Sequence, residues 1–366
     1  MKTKAAVLYQ LGEPLEIEEV ELQGPKDGEV LVKVAGAGVC HSDISVIDGV
    51  IPYPLPSVLG HEGAGVVETV GPGVTGLQAG DHIIFSFIPA CGQCFYCRRG
   101  KPNLCEPSLR LGGNLFDGSS RLSNSKGETL NHFSATSCFA EYTVVPQQGA
   151  VKVGPNAPLD KLALIGCCVT TGVGAAINTA KVEPGSSVAV FGCGGVGLSV
   201  IQGAAISGAQ PVIAIDLVEE RLTLAKELGA THTINASHDD PIRGIRELTE
   251  GRGVDYAFEA IGREETFSQA YRSIHWGGTC IMVGVPSTEA RPTFDSRLVM
   301  QERTIKGSLY GSSNPHVDFL KLVRLYEAGK LKLDEMVTRT RPLEQINAAL
   351  DDLRAGLGAR TVITFN

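Results

Sequence analysis

The chain has 366 residues, enough for about two domains at roughly 150 residues each. Its 32 Lys and Arg against 40 Asp and Glu give a formal charge of −8, which offers no general attraction to nucleic acid or to anionic membranes. A hydrophobic share of 43% with a charged share of 20% excludes wholesale disorder.

The N-terminal stretch MKTKAAVLYQLGEPLEIEEVEL carries acids and a proline where a secretory apolar core would stand, so a cytoplasmic protein is expected. The first third reads as short strands, KAAVLY, EVLVKVAGAGV and GAGVVETVG, parted by Gly and Pro turns, which predicts an irregular β-rich domain. From about Val169 apolar strands alternate with helices: SSVAVFG, a helix from about Val196, PVIAID, ERLTLAKELGA, VDYAFEAIG and GGTCIMVG. That rhythm predicts an α/β, doubly wound parallel sheet with helices on both faces. The segment after about Tyr310 has too few elements for a domain and is expected to return to the first one. The expected division is therefore 1–168 with 311–366, and 169–310. The uncharged run 184–215 is long enough to span a bilayer, yet its glycines, Pro184 and Pro211 speak against insertion.

Gly192, Gly194 and Gly197 form G-x-G-x-x-G directly after an apolar strand and at the start of a helical pattern. Small residues there, Gly195 included, let backbone N–H groups at a helix N-terminus approach a pyrophosphate. The next strand ends in Asp216, 19 residues after Gly197, where an acid would bond a ribose 2′-hydroxyl. That acid would repel a 2′-phosphate, so NAD is expected over NADP; Arg221 is the nearby cation that argues the other way.

Ten cysteines in a chain without an export signal point to metal or thiol chemistry. Cys91, Cys94, Cys97 and Cys105 have C-x2-C-x2-C-x7-C spacing, and four thiolates within 15 residues can close a tetrahedron round zinc. An iron–sulfur cluster is the competing reading, but ferredoxin runs end in a shorter gap. The other six cysteines include Cys40 in GVCHSD and Cys167 in LIGCCVTTG, and His61 lies in LGHEGAG. Spacing alone does not join these three.

GVCHSD, GHEGAG, the 91–105 lobe, DGSSR at 117–121, LIGC with TTG, FGCGGVGLSV and the closing ARTVITF together resemble the zinc-dependent medium-chain alcohol dehydrogenases, nearly end to end. The long segment from Leu109 to Phe133 is similar to the subgroup holding liver-type, aryl-alcohol and thiol-dependent formaldehyde dehydrogenases. The resemblance implies a GroES-like catalytic domain beside a Rossmann-type cofactor domain, and two zinc ions per chain. It implies that Cys40, His61 and Cys167 hold a catalytic zinc, that Glu62 lies behind the metal, and that Asp43 orients the His61 ring. Ser42 matches the hydroxyl that takes the alcohol proton toward the cofactor ribose. Liver-type members continue that path through a His, where this chain has Ser45. His41 and Arg360 match pyrophosphate contacts, and Thr171 and Val196 match residues that buttress the nicotinamide.

Ile51, Phe87, Phe133, Val285 and Leu309 match a substrate channel, and their apolar character suits medium or aromatic primary alcohols and their aldehydes. The alternative within the family is a dehydrogenase of hydroxymethyl adducts of glutathione- or mycothiol-type thiols. Arg110 only approximately meets the carboxylate-binding Arg of those enzymes, and VIPYPLPSV lacks the acid they place there. A nicotinoprotein that keeps NAD through turnover is compatible with every motif. From another class, a metal-dead dinucleotide-binding sensor would be expected to lack a zinc ligand, and none of the three is missing. By analogy the strand from about Arg303 to Tyr310 pairs across a two-fold axis, giving a homodimer, with a tetramer as the other possibility.

Overall fold

A computed structural model describes residues 1–365. They divide into two compact units, one of Met1–Cys167, Asn314–Ala328 and the chain from Leu333 onward, the other of Cys168–Ser313 and Gly329–Lys332.

The first unit is β-rich. A small closed barrel joins Lys2–Leu8, Glu16–Leu22, Leu122–Ser123, Thr129–His132 and Ser57–Val58. Beside it runs a sheet in the order Ala150–Lys152, His82–Phe85, Glu62–Val70, Glu29–Gly38, Arg360–Thr364 and Val337–Pro342, with Tyr142–Pro146 also pairing to Glu29–Gly38. Val30, Val32, Val34, Ile83, Phe85 and Phe139 fill its core. In the register of this sheet Gly38 lies opposite Glu62 on one side and Val362 on the other. A Cβ on Gly38 would stand 2.8 Å from the Glu62 Cδ, so glycine is what lets these strands close here.

DGSSR ties the long segment to the sheet beside the barrel, at the start of the strand Glu29–Gly38. Arg121 is fully buried; its Nε donates to Glu29 Oε2 at 2.8 Å, and its Nη2 reaches Glu29 Oε1 at 2.5 Å and Asp117 Oδ2 at 2.8 Å. A buried guanidinium is tolerated because each face of its fork meets an acceptor.

The second unit holds a six-stranded, all-parallel sheet of Val188–Phe191, Val212–Asp216, His232–Asn235, Val254–Glu259, Ile274–Met282 and Thr304–Gly307. Numbered along the chain, its strands lie in the order 3-2-1-4-5-6. That is the doubly wound arrangement of dinucleotide-binding folds, with the strand order reversing beside the first strand. The uncharged run 184–215 folds as strand, helix Gly195–Ile206 and strand, which accounts for its glycines and prolines. Among the described residues no single helix is long and apolar enough to cross a membrane.

His132 supplies a measurable consequence of the barrel's packing. Its ring is fully buried, Nε2 accepts the Arg121 backbone N–H at 3.2 Å, and burial with the Arg121 charge lowers its pKa to about 3. The folded state thus refuses a proton that the unfolded chain takes below about pH 6.5, so stability falls as pH drops through that window. Relative to His132→Gln, the native protein is expected to lose about 2 kcal/mol between pH 6.5 and 5 in denaturant titrations. A constant difference between the two across that range would contradict the assignment.

Candidate active site

Cys40 follows the strand Glu29–Gly38 by two residues, and His61 precedes the strand Glu62–Val70 by one. The pairing of Gly38 with Glu62 therefore carries both ligand candidates to the same end of the sheet. Cys167 arrives from the 3-10 turn Ala163–Gly166; a Cβ on Gly166 would stand 2.8 Å from the Phe85 carbonyl oxygen, so only glycine lets this turn lie against the sheet. One ligand atom from each of Cys40, His61 and Cys167 lies within 4.8 Å of the others, and all three residues are buried.

Asp43 organises this end. Its carboxylate, wholly buried, accepts the backbone N–H groups of Cys40 at 3.1 Å and Gly60 at 3.2 Å, and its Oδ1 lies 3.1 Å from His61 Nδ1. With Nδ1 held by the acid, the imidazole presents its buried Nε2 toward the thiols. Burial opposes charge on His61, but Asp43 outweighs it and raises the imidazole well above its ordinary pKa. The Cys40 thiol is drawn well below its usual range by the Cys167 thiol and by His61, against the cost of burial. Two thiols and one imidazole nitrogen converge, with no fourth His, Cys, Asp or Glu donor grouped with them among the described residues, a donor set that fits zinc with one position left for a small molecule.

Glu62, also wholly buried, forms an ion pair with Arg360, which is itself 4% exposed. The two residues expected behind the metal and at the pyrophosphate are thus each other's partner. Ser42 sits with its Oγ 3.9 Å from Cys40 Sγ, at the start of the helix His41–Ile47. The rings of Phe133 and Phe87 stand nearly perpendicular to that of His61, with centroids at 5.3 and 5.6 Å and interplanar angles of 82° and 89°. Ile51 packs half-buried against the same core.

The four-cysteine lobe also comes together, with the sulfurs of Cys91, Cys94, Cys97 and Cys105 all within 4.8 Å of one another. The Cys91 N–H donates to Cys105 Sγ at 3.3 Å. Backbone N–H groups, that of Cys97 foremost, bring the Cys94 thiol down to about 6 against the cost of its burial. A thiolate is the form that ligates metal, and four sulfurs leave no corner open.

In the second unit the glycine-rich turn separates three physical demands. Gly192 adopts φ +92°, a left-handed conformation that a side chain disfavours. A Cβ on Gly197 would overlap the Gly192 carbonyl oxygen. A Cβ on Gly194 would meet nothing within 4 Å, so the protein's own packing does not demand glycine there. Space left open at the N-terminus of the helix Gly195–Ile206 is what a pyrophosphate needs. Asp216 ends the second strand with Oδ2 accepting the Cys193 N–H at 2.7 Å and Oδ1 accepting those of Leu217 and Val218. Arg221 Nη1 is 3.9 Å from Asp216 Oδ2, so this cation is directed at the acid. Thr171 and Val196 are half-buried in this unit, while Val285 and Leu309 are 55% and 43% exposed. His41 is exposed at the first turn of its helix in the first unit.

Residues 26–155 match the alcohol dehydrogenase GroES-like domain, and 195–328 match the zinc-binding dehydrogenase model. An NDMA-dependent alcohol dehydrogenase of Amycolatopsis methanolica is 44% identical over 99% of this chain and 99% of its own. The chain belongs to the zinc-dependent medium-chain alcohol dehydrogenase family. Among solved structures, an alcohol dehydrogenase zinc-binding domain protein of Burkholderia ambifaria is 42% identical with a TM-score of 0.96, over 100% of this chain and 99% of the other. The benzyl alcohol dehydrogenase of Acinetobacter calcoaceticus is 39% identical with a TM-score of 0.92, over 100% of both chains.

Within this dehydrogenase fold, Tyr53 is a residue of the site that sequence reading passes over. PYPLP reads as a proline-rich loop, and nothing in its spacing signals that the tyrosine ring lies 5.0 Å from that of Phe133. The two metal sets make separable demands. Cys97→Ser is expected to reduce zinc from two ions per chain to one and to lower the thermal midpoint; Cys167→Ser is expected to lose the other ion; the double variant is expected to hold none. Elemental analysis of the purified variants checks this, and two ions retained by either single variant would contradict the pairing of sites.

Proposed function

We propose that the protein catalyses reversible hydride transfer between a primary alcohol, aromatic or medium aliphatic, and NAD. The observation that carries the reading is the convergence of Cys40, His61 and Cys167, with the rings of Phe87 and Phe133 packed nearly perpendicular to that of His61. The first unit would supply the metal and substrate residues and the second the cofactor residues, with 1–168 and 311–366 acting as the catalytic part and 169–310 as the cofactor part. When bound, zinc would supply a Lewis acid for the alcohol oxygen, and NAD a hydride acceptor.

The chain's own groups then have distinct tasks. Asp43 holds His61 in the tautomer that offers Nε2 to a metal. The Ser42 hydroxyl, beside Cys40 Sγ, would take the proton that the alcohol loses while passing its own on toward the cofactor ribose. Phe87 and Phe133 keep water from the reacting carbon and present ring edges to a flat substrate. Backbone N–H groups at Gly194–Gly197 receive the pyrophosphate, and Asp216 receives the ribose hydroxyls. Arg360 is held by Glu62, so it reaches a pyrophosphate only if that pair opens or shares. A homodimer through the exposed edge strand Thr304–Gly307 is consistent with its unpaired outer side.

A second reading concerns how NAD is used. A relative 44% identical bears a name stating dependence on NDMA. An enzyme that retains its nicotinamide through turnover depends on a further reactant to reoxidise it, so a relative named for dependence on such a reactant favours the nicotinoprotein reading of this chain. The test is NADH appearance with free NAD and a panel of benzylic, aliphatic and hydroxymethyl-thiol alcohols, run on protein holding two zinc ions per chain. Benzylic or alkyl turnover is expected, either with free NAD or only once an aldehyde acceptor is added. Turnover confined to formaldehyde plus a thiol would replace the substrate reading. No turnover under either condition would contradict the dehydrogenase assignment and favour a dinucleotide-binding sensor.

A further inference from the structure

The loop from Phe133 to Cys138 is held in an unfavourable backbone. Ser134, Ala135 and Ser137 have φ of 52°, 54° and 46°, three non-glycine residues in the left-handed region within four positions. Such a run persists only where its surroundings over-determine it. The second half of the loop is tied by its own hydroxyls. Thr136 Oγ1 donates to Gly60 O at 3.0 Å or to Phe133 O at 2.8 Å, and Ser137 Oγ donates to Val58 O at 2.9 Å while accepting the Phe133 N–H at 3.0 Å. The first half depends on a residue from elsewhere in the chain. The Tyr53 hydroxyl donates to the His132 carbonyl at 2.7 Å and accepts the Ser134 N–H at 3.0 Å. The Gly113 carbonyl accepts the His132 N–H at 2.7 Å, which brings in the long segment between the four-cysteine lobe and Phe133.

The tyrosine ring adds a second hold. It meets Phe133 edge-to-face with centroids 5.0 Å apart at 87°, and Phe133 in turn meets His61 at 5.3 Å and 82°. The chain of contact therefore runs from a hydroxyl that fixes the loop backbone, through one ring, to the ring that flanks a metal-ligand candidate. Aromatic pairs of this geometry are directional, so a shift of one ring moves the next.

We propose that Tyr53 is a specificity-determining positioning residue: by clamping the backbone at His132 and Ser134 and bracing the Phe133 ring, it sets where that ring stands beside His61, favouring flat aromatic alcohols over small aliphatic ones. Tyr53 touches neither the metal candidates nor the reacting atoms; it acts through Phe133. The specificity half rests on the alcohol dehydrogenase reading. The clamp half does not.

Tyr53→Phe keeps the ring and removes both hydroxyl hydrogen bonds, so it separates the backbone clamp from the packing. Two measurements on the zinc-loaded protein test it. In hydrogen–deuterium exchange, amides of residues 133–137 are expected to exchange at least about tenfold faster in Tyr53→Phe, with the rest of the first unit unchanged. In kinetics, the ratio of kcat/KM for benzyl alcohol to that for ethanol is expected to fall by about tenfold, with the change carried mainly by the KM for benzyl alcohol. Phe133→Leu is expected to lower the same ratio, and adding Tyr53→Phe to it is expected to lower the ratio no further. Unchanged exchange at 133–137 would overturn the clamp. A fall of equal size for both alcohols, or additive effects with Phe133→Leu, would overturn the specificity role and leave Tyr53 a structural residue. No turnover with any alcohol by the native protein, beside faster exchange in the variant, would uphold the clamp and overturn the dehydrogenase reading.

Discussion

A buried carboxylate has to be satisfied, and the end of the sheet that gathers Cys40 and His61 is organised by how Asp43 meets that demand. Its oxygens take one N–H from the segment that carries Cys40, one from the residue before His61, and the Nδ1 of His61 itself. An unpaired carboxylate at zero exposure would cost several kcal/mol, so the segments carrying Cys40 and His61 cannot separate without exposing that cost. The same contacts choose the tautomer of the imidazole, so backbone architecture and ligand chemistry depend on one side chain. Cys167 is added to this pair by close packing, through a glycine at 166 that lets its turn lie on the sheet.

The second unit reaches its chemistry by a different constraint. An all-parallel sheet in the order 3-2-1-4-5-6 leaves a place beside its first strand where the chain turns away in both directions. The turn after that strand divides its glycines between conformation at 192, packing at 197 and open space at 194. Only the last is unexplained by the protein's own stability, and open space at that helix start is what a bound pyrophosphate would need. Asp216 stands beside it with its carboxylate already preorganised by three backbone N–H groups.

How much of this is legible in the sequence depends on how local each feature is. The four-cysteine lobe and the glycine-rich turn are written within 15 and 6 residues, and strand periodicity locates the parallel sheet, because each depends on near neighbours. The set of Cys40, His61 and Cys167 is joined by the register of two strands and by one glycine contact, which spacing does not encode; only family resemblance links them in the sequence. The Glu62–Arg360 pair spans 298 positions, and each partner alone suggests a different role. Tyr53 is invisible for the same reason, since its significance lies in meeting His132 and Ser134 some 80 residues away. The uncharged run 184–215 is ambiguous by length alone and becomes strand, helix and strand once its glycines and prolines have turns to occupy.

The central claim is that Asp43, by fixing His61, makes the three-residue metal site. The most direct measurement is the zinc affinity of Asp43→Asn against the native protein, monitored by competition with a chromophoric chelator, with the four-cysteine site as an internal control. The claim predicts that one of two zinc ions per chain is released at about 10- to 100-fold lower chelator activity in the variant, while the other is unaffected. Two ions retained with native affinity in a folded Asp43→Asn protein would contradict it.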